Sequence, residues 1–345
     1  MDILKALKKA VFPHKKINNV RISQTVLETI KRYNLLKRKE KIILAVSGGP
    51  DSVAMLFLFL KIKEIFNLKL VCAHFNHGLR EDADRDEEFV KNLCNSLNIK
   101  FISEKKDVKK FFCGDSLEQT ARVLRYDFFF KIANSLKIKK IALAHTKDDV
   151  IETVLMRIIR GTGIQGLRGI LPLTKIKGKT FIRPLIEVEK KEILDWLAKE
   201  KIDYCIDTTN FEDKFFRNKI RLRILPLLEK LNPNIKNTLF NLARISSWNH
   251  DFVTQLAQRE LSKIKKEEGR NFLSIDLKKI KELHPFLILQ ILRLAIEEIK
   301  GNTRRLDWRH FESILENLQK KKGFLNLPDL IIEIREERLI LKSLL

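Results

Sequence analysis

Residues 41–52 read KIILAVSGGPDS, and a second apolar run, VAMLFLFL at 53–60, continues to about residue 66. The first run is short and β-branched, as in a buried parallel strand, whereas the second is long enough to form a helix. The small residues from Ser47 to Ser52 let backbone N–H groups crowd together, and the following helix directs its positive dipole end to the same place. The sequence therefore predicts a strand-to-helix turn that binds a phosphate chain.

Asp51 indicates which phosphate ligand this turn binds. A carboxylate beside phosphates is repulsive unless a divalent cation lies between them, so Asp51 favours a Mg²⁺-bound nucleotide. The chain contains no G-x-x-x-x-G-K-[ST] sequence, which excludes the Walker A loop of kinases and P-loop ATPases. The alternative is an ordinary βα turn, which two glycines alone would favour.

The pattern from residue 41 to about 186 alternates strands and helices, which predicts an α/β fold with a doubly wound, mostly parallel sheet. Ligands of such sheets bind outside the carboxyl ends of the strands, so residues that follow each strand are the candidates for a site. The expected strands are 41–46, 69–75, 99–103 and 140–145, and the expected helices are 53–66, 84–97, 116–136 and 147–160.

His74, His77 and Arg80 lie at the end of the second expected strand. With Cys72 nearby, the histidines suggest zinc as one reading, but no neighbouring residues complete the three or four ligands that zinc needs. We expect one or both histidines to line a nucleotide cleft, with Arg80 contacting phosphate or ribose.

The last expected strand ends in His145, which joins the nucleotide-binding candidates, and Asp148, Asp149 and Glu152 follow it. A single acidic residue at a helix start would be explained by the helix dipole. Three of them at the carboxyl end of a strand indicate instead a metal ligand or a general base.

Half of the twelve glycines fall in the SGGPDS turn and in residues 160–169, RGTGIQGLRG. This concentration predicts tight backbone where a ligand approaches closely, and it places Gly161 among the nucleotide-binding candidates. A flexible linker is the alternative, although it would expose Ile164 and Leu167.

Arginines complete the set of candidates. Arg125 lies on a predicted helix, together with Arg122, and could reach the same cleft. Arg217 belongs to a basic segment with Arg221 and Arg223, which we interpret as a phosphate or nucleic-acid contact rather than a solvated helix face.

The 345-residue chain has 68 Lys+Arg against 44 Asp+Glu, a net charge of +24. This excess predicts a polyanionic partner such as nucleic acid, although an A+T-rich or thermophilic source would also enrich lysine and isoleucine. The positive charge is spread along the chain rather than concentrated in one amphipathic segment, which argues against membrane-surface binding.

No apolar run reaches the roughly 18 to 20 residues of a membrane span. The N-terminus, with Asp2 among lysines, does not resemble a secretory signal. The four cysteines are far apart and include no C-x-x-C, which is typical of a reducing compartment. We therefore expect a cytoplasmic protein without a membrane partner.

The pattern divides the chain into three regions. Residues 1–38 form a lysine-rich lead-in with a capped helix start at Ser23, and we expect this helix to cover the sheet. Residues 39–223 form the nucleotide-binding catalytic domain. Residues 224–345 form a mainly helical domain that closes with a small strand pair at 323–328 and 330–341.

Eight motifs, in their order along the chain, resemble the tRNA(Ile)-lysidine synthase family, which belongs to the PP-loop superfamily of N-type ATP pyrophosphatases. The resemblance covers about 41–223, with Val150 standing where family members often carry Gln. The motifs are SGGPDS at 47–52, HFNHGLR at 74–80, EQTARVLRY at 118–126, HTKDDVIET at 145–153, RGTGIQGLRG at 160–169, RPL at 183–185, DTTN at 207–210 and RNKIR at 217–221.

The resemblance implies an ATP-dependent carbon–nitrogen ligase that uses Mg²⁺. In the family reaction, ATP adenylates the C2 oxygen of the wobble cytidine of the CAU-anticodon isoleucine tRNA, with release of pyrophosphate. The ε-amine of free lysine then attacks C2 and expels AMP. The basic C-terminal region would bind tRNA, and a homodimer is a further expectation.

The resemblance also implies roles for individual residues. Asp51 and Asp149 would lie near Mg²⁺, with Asp148 or Asp149 as the metal ligand or base. Arg125 and Arg217 would stabilise the adenylate or the tRNA backbone. The phosphates would be held by Ser47, Gly48, Gly49, Pro50, Asp51 and Ser52.

Three other functions compete with this reading. A tRNA thiolase on the same scaffold needs paired cysteines for sulfur or an iron–sulfur cluster, and the scattered cysteines argue against it. Glutamine-dependent amidotransferases of the superfamily would not need a charge of +24. A non-catalytic RNA-binding protein predicts erosion of the acidic and glycine clusters, and both are intact.

Overall fold

The structure, a computed structural model, describes residues 18–79, 82–112, 116–206, 216–303, 305–320 and 322–344. The chain divides into two compact units, Met1–Ala243 and Arg244–Leu345. The first unit therefore extends past the domain boundary expected at residue 223. The division into functional domains stays a prediction.

The first unit is built on a six-stranded sheet in the order β3-β2-β1-β4-β6-β5. All neighbouring strands pair in parallel except β5, which pairs antiparallel with β6. Since the order runs outward from β1 on one side and from β4 on the other, the topological switch point lies between these two strands. The strands are β1 (Lys41–Ala45), β2 (Lys69–Asn76), β3 (Lys100–Lys105), β4 (Lys140–Ala142), β5 (Leu173–Ile176) and β6 (Lys179–Ile182).

The helices of this unit follow the strand–helix alternation expected from the sequence. They are α1 (Asn18–Arg32), α2 (Pro50–Phe66), α3 (Ala83–Ser96), α4 (Leu117–Ser135), α5 (Lys147–Arg160), α6 (Ile164–Leu167), α7 (Lys190–Glu200), α8 (Phe216–Lys219) and α9 (Leu225–Leu231). A π-helical turn, Ile220–Ile224, joins α8 to α9. The long helix α10 (Ile235–Ile264) contains the boundary between the two units.

Alternate residues of β1 enter two different cores, as a doubly wound sheet requires. Ile42 and Leu44 pack with α2 and with Trp196 of α7, whereas Ile43 packs on the opposite face with Phe128 and Phe129 of α4. The predicted fold class is confirmed.

The predicted helix of the lead-in covers the sheet, because Ile22, Val26 and Ile30 of α1 join the core that contains Ile42. The predicted capped start at Ser23 is wrong. Helical structure is present from Asn18, and Ser23 lies inside the helix with 1% exposure. The apolar residues Ile22, Val26 and Ile30 continue the helical period through this position, so burial outweighs the local capping signal.

The second unit contains a five-stranded antiparallel sheet in the order β7-β8-β11-β10-β9. The expected terminal strand pair is present, but it belongs to this larger sheet, and the run expected at 330–341 is divided by a turn into β10 and β11. The elements are β7 (Lys265–Glu268), β8 (Phe272–Asp276), α11 (Leu277–Lys281), α12 (Pro285–Lys300), α13 (Trp308–Leu318), β9 (Gly323–Leu327), β10 (Leu330–Arg335) and β11 (Arg338–Ser343).

Among the described residues, no helix has the length and apolar character needed to cross a membrane.

Candidate active site

The turn that follows β1 is shaped by hydrogen bonds between its own residues. The Ser47 amide donates to Ser52 Oγ at 3.1 Å, and Ser52 Oγ donates to the Gly49 carbonyl at 2.9 Å. Ser52 is only 5% exposed. The Ser52 hydroxyl, predicted to contact phosphate, therefore holds the shape of the turn.

Gly48 has a positive φ of 95°, and an added Cβ would lie 3.3 Å from Cys205 Sγ. The Cys205 amide donates to the Gly48 carbonyl at 3.0 Å. Only glycine suits both the φ angle and this close approach. Within the described residues, the amides of Gly48, Gly49 and Asp51 have no hydrogen-bond acceptor. These amides and the start of α2 form a cradle that fits phosphate oxygens.

Asp51 lies in the first turn of α2 and points toward the start of α7. Its Oδ1 is buried and has no hydrogen-bond partner in the described part of the chain, while its Oδ2 is 3.7 Å from Lys190 Nζ. Burial raises the pKa of Asp51 to about 6, and the charges of Asp149 and Asp148 add to this, against the opposing effect of Lys190 and Arg221. Asp51 is therefore close to both predicted acidic partners and has one oxygen available for a cation.

Asp149 is engaged in helix capping. The amide and the hydroxyl of Thr146 both donate to Asp149 Oδ2, at 2.8 and 3.1 Å, and complete a capping box at the start of α5. Arg217 Nη1 lies 3.5 Å from Asp149 Oδ1. Burial opposes ionisation, but His145 and the Thr146 donors outweigh it, so the pKa of Asp149 is lowered.

Asp148 is held by the neighbouring helix. Its Oδ2 accepts a hydrogen bond from the Lys190 amide at 2.7 Å, and its Oδ1 is 3.6 Å from Lys236 Nζ. Both oxygens therefore have a protein partner, as in Asp149.

A buried ion pair lies one turn further along α5. Glu152 is 1% exposed and accepts hydrogen bonds from Nε and Nη2 of Arg221 at 2.6 and 3.0 Å. Burial raises the pKa of Glu152, while Arg221 opposes this shift. Arg217 lies 3.8 Å from the same carboxylate. The basic segment after residue 216 thus pairs with α5 and is not simply a solvated face.

His145 lies between the acidic and basic groups of the site. Its Nδ1 is buried without a hydrogen-bond partner among the described residues. Burial lowers the pKa of His145 to about 3, and the charges of Arg183, Arg125 and Arg217 contribute to this shift. Burial also lowers the pKa of Arg125, although its side chain reaches solvent. Arg125 is therefore close enough to His145 for its charge to help keep this histidine neutral.

Of the two predicted histidines, His74 lies near the end of β2 and His77 follows the strand. His74 is 3% exposed, and its Nδ1 lies 2.9 Å from the Val46 carbonyl, just before Ser47. His77 Nδ1 accepts a hydrogen bond from the Leu79 amide at 3.1 Å. No group of three His, Cys, Asp or Glu side chains among the described residues could hold a metal ion. Arg80 lies outside the described residues.

Gly161 ends α5 with a φ of 80°, and a Cβ there would meet nothing within 4 Å. The backbone angle at the end of the helix explains why a glycine occupies this position. Arg157 Nη1 donates to the carbonyls of Gly166 and Gly169 at 2.7 and 3.0 Å, so the glycine-rich segment is bound to α5 and is not a free linker. Ile164 is nevertheless 42% exposed.

Mg²⁺ keeps several waters and binds through one or two carboxylates together with substrate phosphates. The free Oδ1 of Asp51 fits this requirement, whereas both oxygens of Asp149 are used by Thr146 and Arg217. Asp51 is therefore the better candidate of the two predicted ligands.

Three residues at this site were not predicted from the sequence. Lys190 and Cys205 lie in ordinary lysine-rich and mixed segments that carry no signal of their own. Arg183 is 4% exposed and binds the Leu171 carbonyl at 2.8 Å. Its position in the RPL motif was the one available signal.

Known proteins can now be compared with this arrangement. A family model described as a PP-loop domain matches residues 18–228. The parallel sheet, the glycine turn at its switch point and this match define a PP-loop protein that binds ATP.

The chain belongs, more narrowly, to the tRNA(Ile)-lysidine synthase family. It is 36% identical over 323 residues to the tRNA(Ile)-lysidine synthase of Clostridioides difficile, a match that covers 92% of this chain and 69% of that protein. It is 35% identical to that of Petrotoga mobilis, covering 92% of this chain and 97% of that protein. It spans 63% of the length of the Caldanaerobacter subterraneus relative.

A solved structure shares the fold. The U34-tRNA thiolase NcsA of Methanococcus maripaludis, with its [4Fe-4S] cluster, superposes with a TM-score of 0.57 at 22% identity. The match covers 67% of this chain and 79% of that one.

Proposed function

We propose that this chain converts the wobble cytidine of the CAU-anticodon isoleucine tRNA into lysidine, using ATP and free lysine. Family membership over most of the chain supports this proposal. The structural observation that carries it is the position of Asp51 at the β1/β4 switch point. Its buried Oδ1 and the neighbouring backbone donors have no hydrogen-bond partner among the described residues.

The turn from Ser47 to Ser52 binds the pyrophosphate part of ATP through its amides. Asp51 would hold Mg²⁺, and the chemistry that this ion would supply is neutralisation of negative charge on the phosphates. Asp148 and Asp149 keep the starts of α5 and α7 in place, and they contribute to the negative field in which the lysine ammonium binds.

Positive and neutral groups beside these carboxylates complete the site. Arg217 and Arg125 stabilise the phosphate of the adenylate. His145 is neutral at physiological pH because its pKa is about 3, and its free Nδ1 accepts or donates one hydrogen bond to the substrate. The reactants of this chemistry meet in the cytoplasm, which is the compartment we assign.

The decisive experiment incubates the full chain with ATP, radiolabelled lysine and a panel of transcripts. We expect label to enter the CAU isoleucine tRNA and not the methionine tRNA with the same anticodon. Label in every CAU-containing transcript would contradict the assigned specificity, and no label in any transcript would contradict the proposed function.

The thiolase alternative has less support. Cys72 of β2 and Cys94 of α3 are buried against each other, Cys205 lies apart in the site, and Cys113 is outside the described residues. A homodimer stays a prediction, which light scattering during size-exclusion chromatography would test.

A further inference from the structure

The turn after β3, residues 106–112, carries two adjacent exposed aromatic rings. Phe111 is 50% exposed and Phe112 is 46% exposed. Within the described part of the first unit, no other phenylalanine is exposed. Burying such a ring is worth about 1.5–3 kcal/mol, so two neighbouring rings left in solvent indicate a surface that is covered by a partner.

Lysines surround these rings. Lys109 and Lys110 are exposed, and within the described residues neither has an acidic partner. Lys106 Nζ lies 5.7 Å from the centre of the Phe111 ring. A protein partner with an apolar face would leave these charges unpaired. A nucleic acid can contact both the lysines, through its phosphates, and the rings, through its bases.

The turn is anchored to the rest of the unit. Val108 is fully buried, and its amide donates to the His77 carbonyl at 3.3 Å. The Asp107 side chain accepts a hydrogen bond from the Lys109 amide at 3.1 Å. Because the backbone is already ordered, the rings would lose little conformational freedom on binding.

The turn also lies at the edge of the sheet that carries the active site. β3 is separated from β1 by β2, and neighbouring strands lie about 4.8 Å apart, so the carboxyl ends of β1 and β3 are roughly 10 Å apart. Successive nucleotides of a stacked strand rise about 3.4 Å. A base held at the switch point therefore has neighbours, a few nucleotides away, within reach of the turn.

The distribution of charge agrees with this location. Residues 244–345 contain 20 Lys+Arg and 15 Asp+Glu, whereas residues 1–243 contain 48 and 29, so the first unit carries +19 of the net charge of +24. The first unit is thus a larger source of attraction for a polyanion than the C-terminal region, to which the family resemblance assigned tRNA binding.

We infer that the 106–112 turn is a docking surface for the unpaired nucleotides that flank the modified base. Phe111 and Phe112 stack on bases, and Lys109 and Lys110 contact phosphates. This inference rests on the proposed function, since it assigns where the RNA substrate of that site lies.

The first test uses the full chain and a labelled anticodon stem-loop of the isoleucine tRNA, with the same stem as a blunt duplex for comparison. The double substitution Phe111→Ala/Phe112→Ala is expected to weaken stem-loop binding roughly tenfold or more and to leave duplex binding unchanged. Phe111→Trp/Phe112→Trp should restore the affinity, because tryptophan also stacks. Phe324→Ala, at a ring 61% exposed in the second unit, is the matched control.

The second test measures the salt dependence of the same binding. Lys109→Ala/Lys110→Ala should reduce the slope of log affinity against log salt by about 1.4, as expected for two lost contacts to single-stranded phosphates. The control Lys63→Ala/Lys69→Ala removes two exposed lysines at the opposite edge of the sheet, where α2 ends and β2 begins, and should leave the slope unchanged.

Equal loss of stem-loop and duplex binding, or wild-type binding by the alanine double variant, would overturn the inference. Phe111→Leu/Phe112→Leu keeps apolar bulk without an aromatic face, so wild-type binding by this variant would also overturn it. If the wild-type chain forms lysidine while the ring variants bind normally, the docking surface alone is wrong. If the wild-type chain modifies no transcript, the proposed function is wrong.

Discussion

The turn after β1 and the start of α5 both bring carboxylates to the switch point of one sheet, but their carboxylates differ in state. Asp149 accepts two hydrogen bonds from Thr146, and its pKa is lowered. Asp51 has a buried Oδ1 without a partner among the described residues, and its pKa rises to about 6. The comparison separates a carboxylate that builds the site from one that is available to a ligand.

The largest expected effect is on catalysis. Asp51→Asn removes the charge that would hold the cation, and we expect tRNA-dependent pyrophosphate release to fall on the order of 1,000-fold. Asp195→Asn, at an exposed position of α7, is the control and should retain wild-type rates. Normal release by Asp51→Asn would remove this residue from the mechanism.

The next largest effect concerns the ion pair between Glu152 and Arg221, which lies one turn along α5 from Asp149. Arg221→Met leaves Glu152 buried without its bidentate partner and should lower the free energy of unfolding by about 3 kcal/mol. Urea denaturation at pH 7.5 measures this. The double variant Glu152→Gln/Arg221→Met should recover part of the loss, and a double variant no more stable than Arg221→Met would argue against a charge penalty.

Asp51→Asn should also stabilise the fold, in contrast to changes at α5. A folded-state pKa of about 6 against 3.8 for a free aspartate means that the folded protein binds more protons between these values, so stability falls as pH rises from about 4 to 6. Above about pH 6 the ionised carboxylate costs about 3 kcal/mol, which the asparagine removes. The gain, measured by thermal unfolding, should be largest at pH 7–8 and shrink toward pH 4. A gain that does not change with pH would contradict this cause.

The smallest effect is expected at Asp149. Asp149→Ala removes the capping box of α5 and should lower the free energy of unfolding by about 1 kcal/mol. Thr146→Ala breaks the same box from the other side, so the two losses should not add in the double variant. Stabilisation by Asp149→Ala would show that the Asp149 carboxylate, like that of Asp51, costs the fold stability. It would contradict the difference between the two carboxylates.

Much of the fold could be predicted from the local pattern. The helix expected at 147–160 has those bounds as α5, because its capping residues and apolar period agree. The strand expected to reach residue 145 ends at Ala142, although the Leu143 amide still donates to the Ile182 carbonyl at 2.9 Å. The terminal strands were only partly foreseen, because pairing of β11 with β8 joins residues that are far apart in the sequence.

The site was predicted in outline. The positions after β1, β2 and β4 are brought to one edge by the parallel order of the strands, which follows from the alternation alone. The roles of the individual side chains at this edge could not be predicted from the order of the strands. The Ser52 hydroxyl donates to the Gly49 carbonyl within the same turn, and Lys190 approaches Asp51 from a helix more than a hundred residues away in the sequence.

By itself, the sequence determined the family, the parallel α/β architecture and the edge of the sheet that carries the candidate site, because glycines, capping residues and apolar periods act over short distances. Only the tertiary structure decided which carboxylate is free, which histidine is neutral and where two phenylalanines remain in solvent. Those states depend on burial and on charges contributed by separate elements, and such neighbours exist only once the chain has folded.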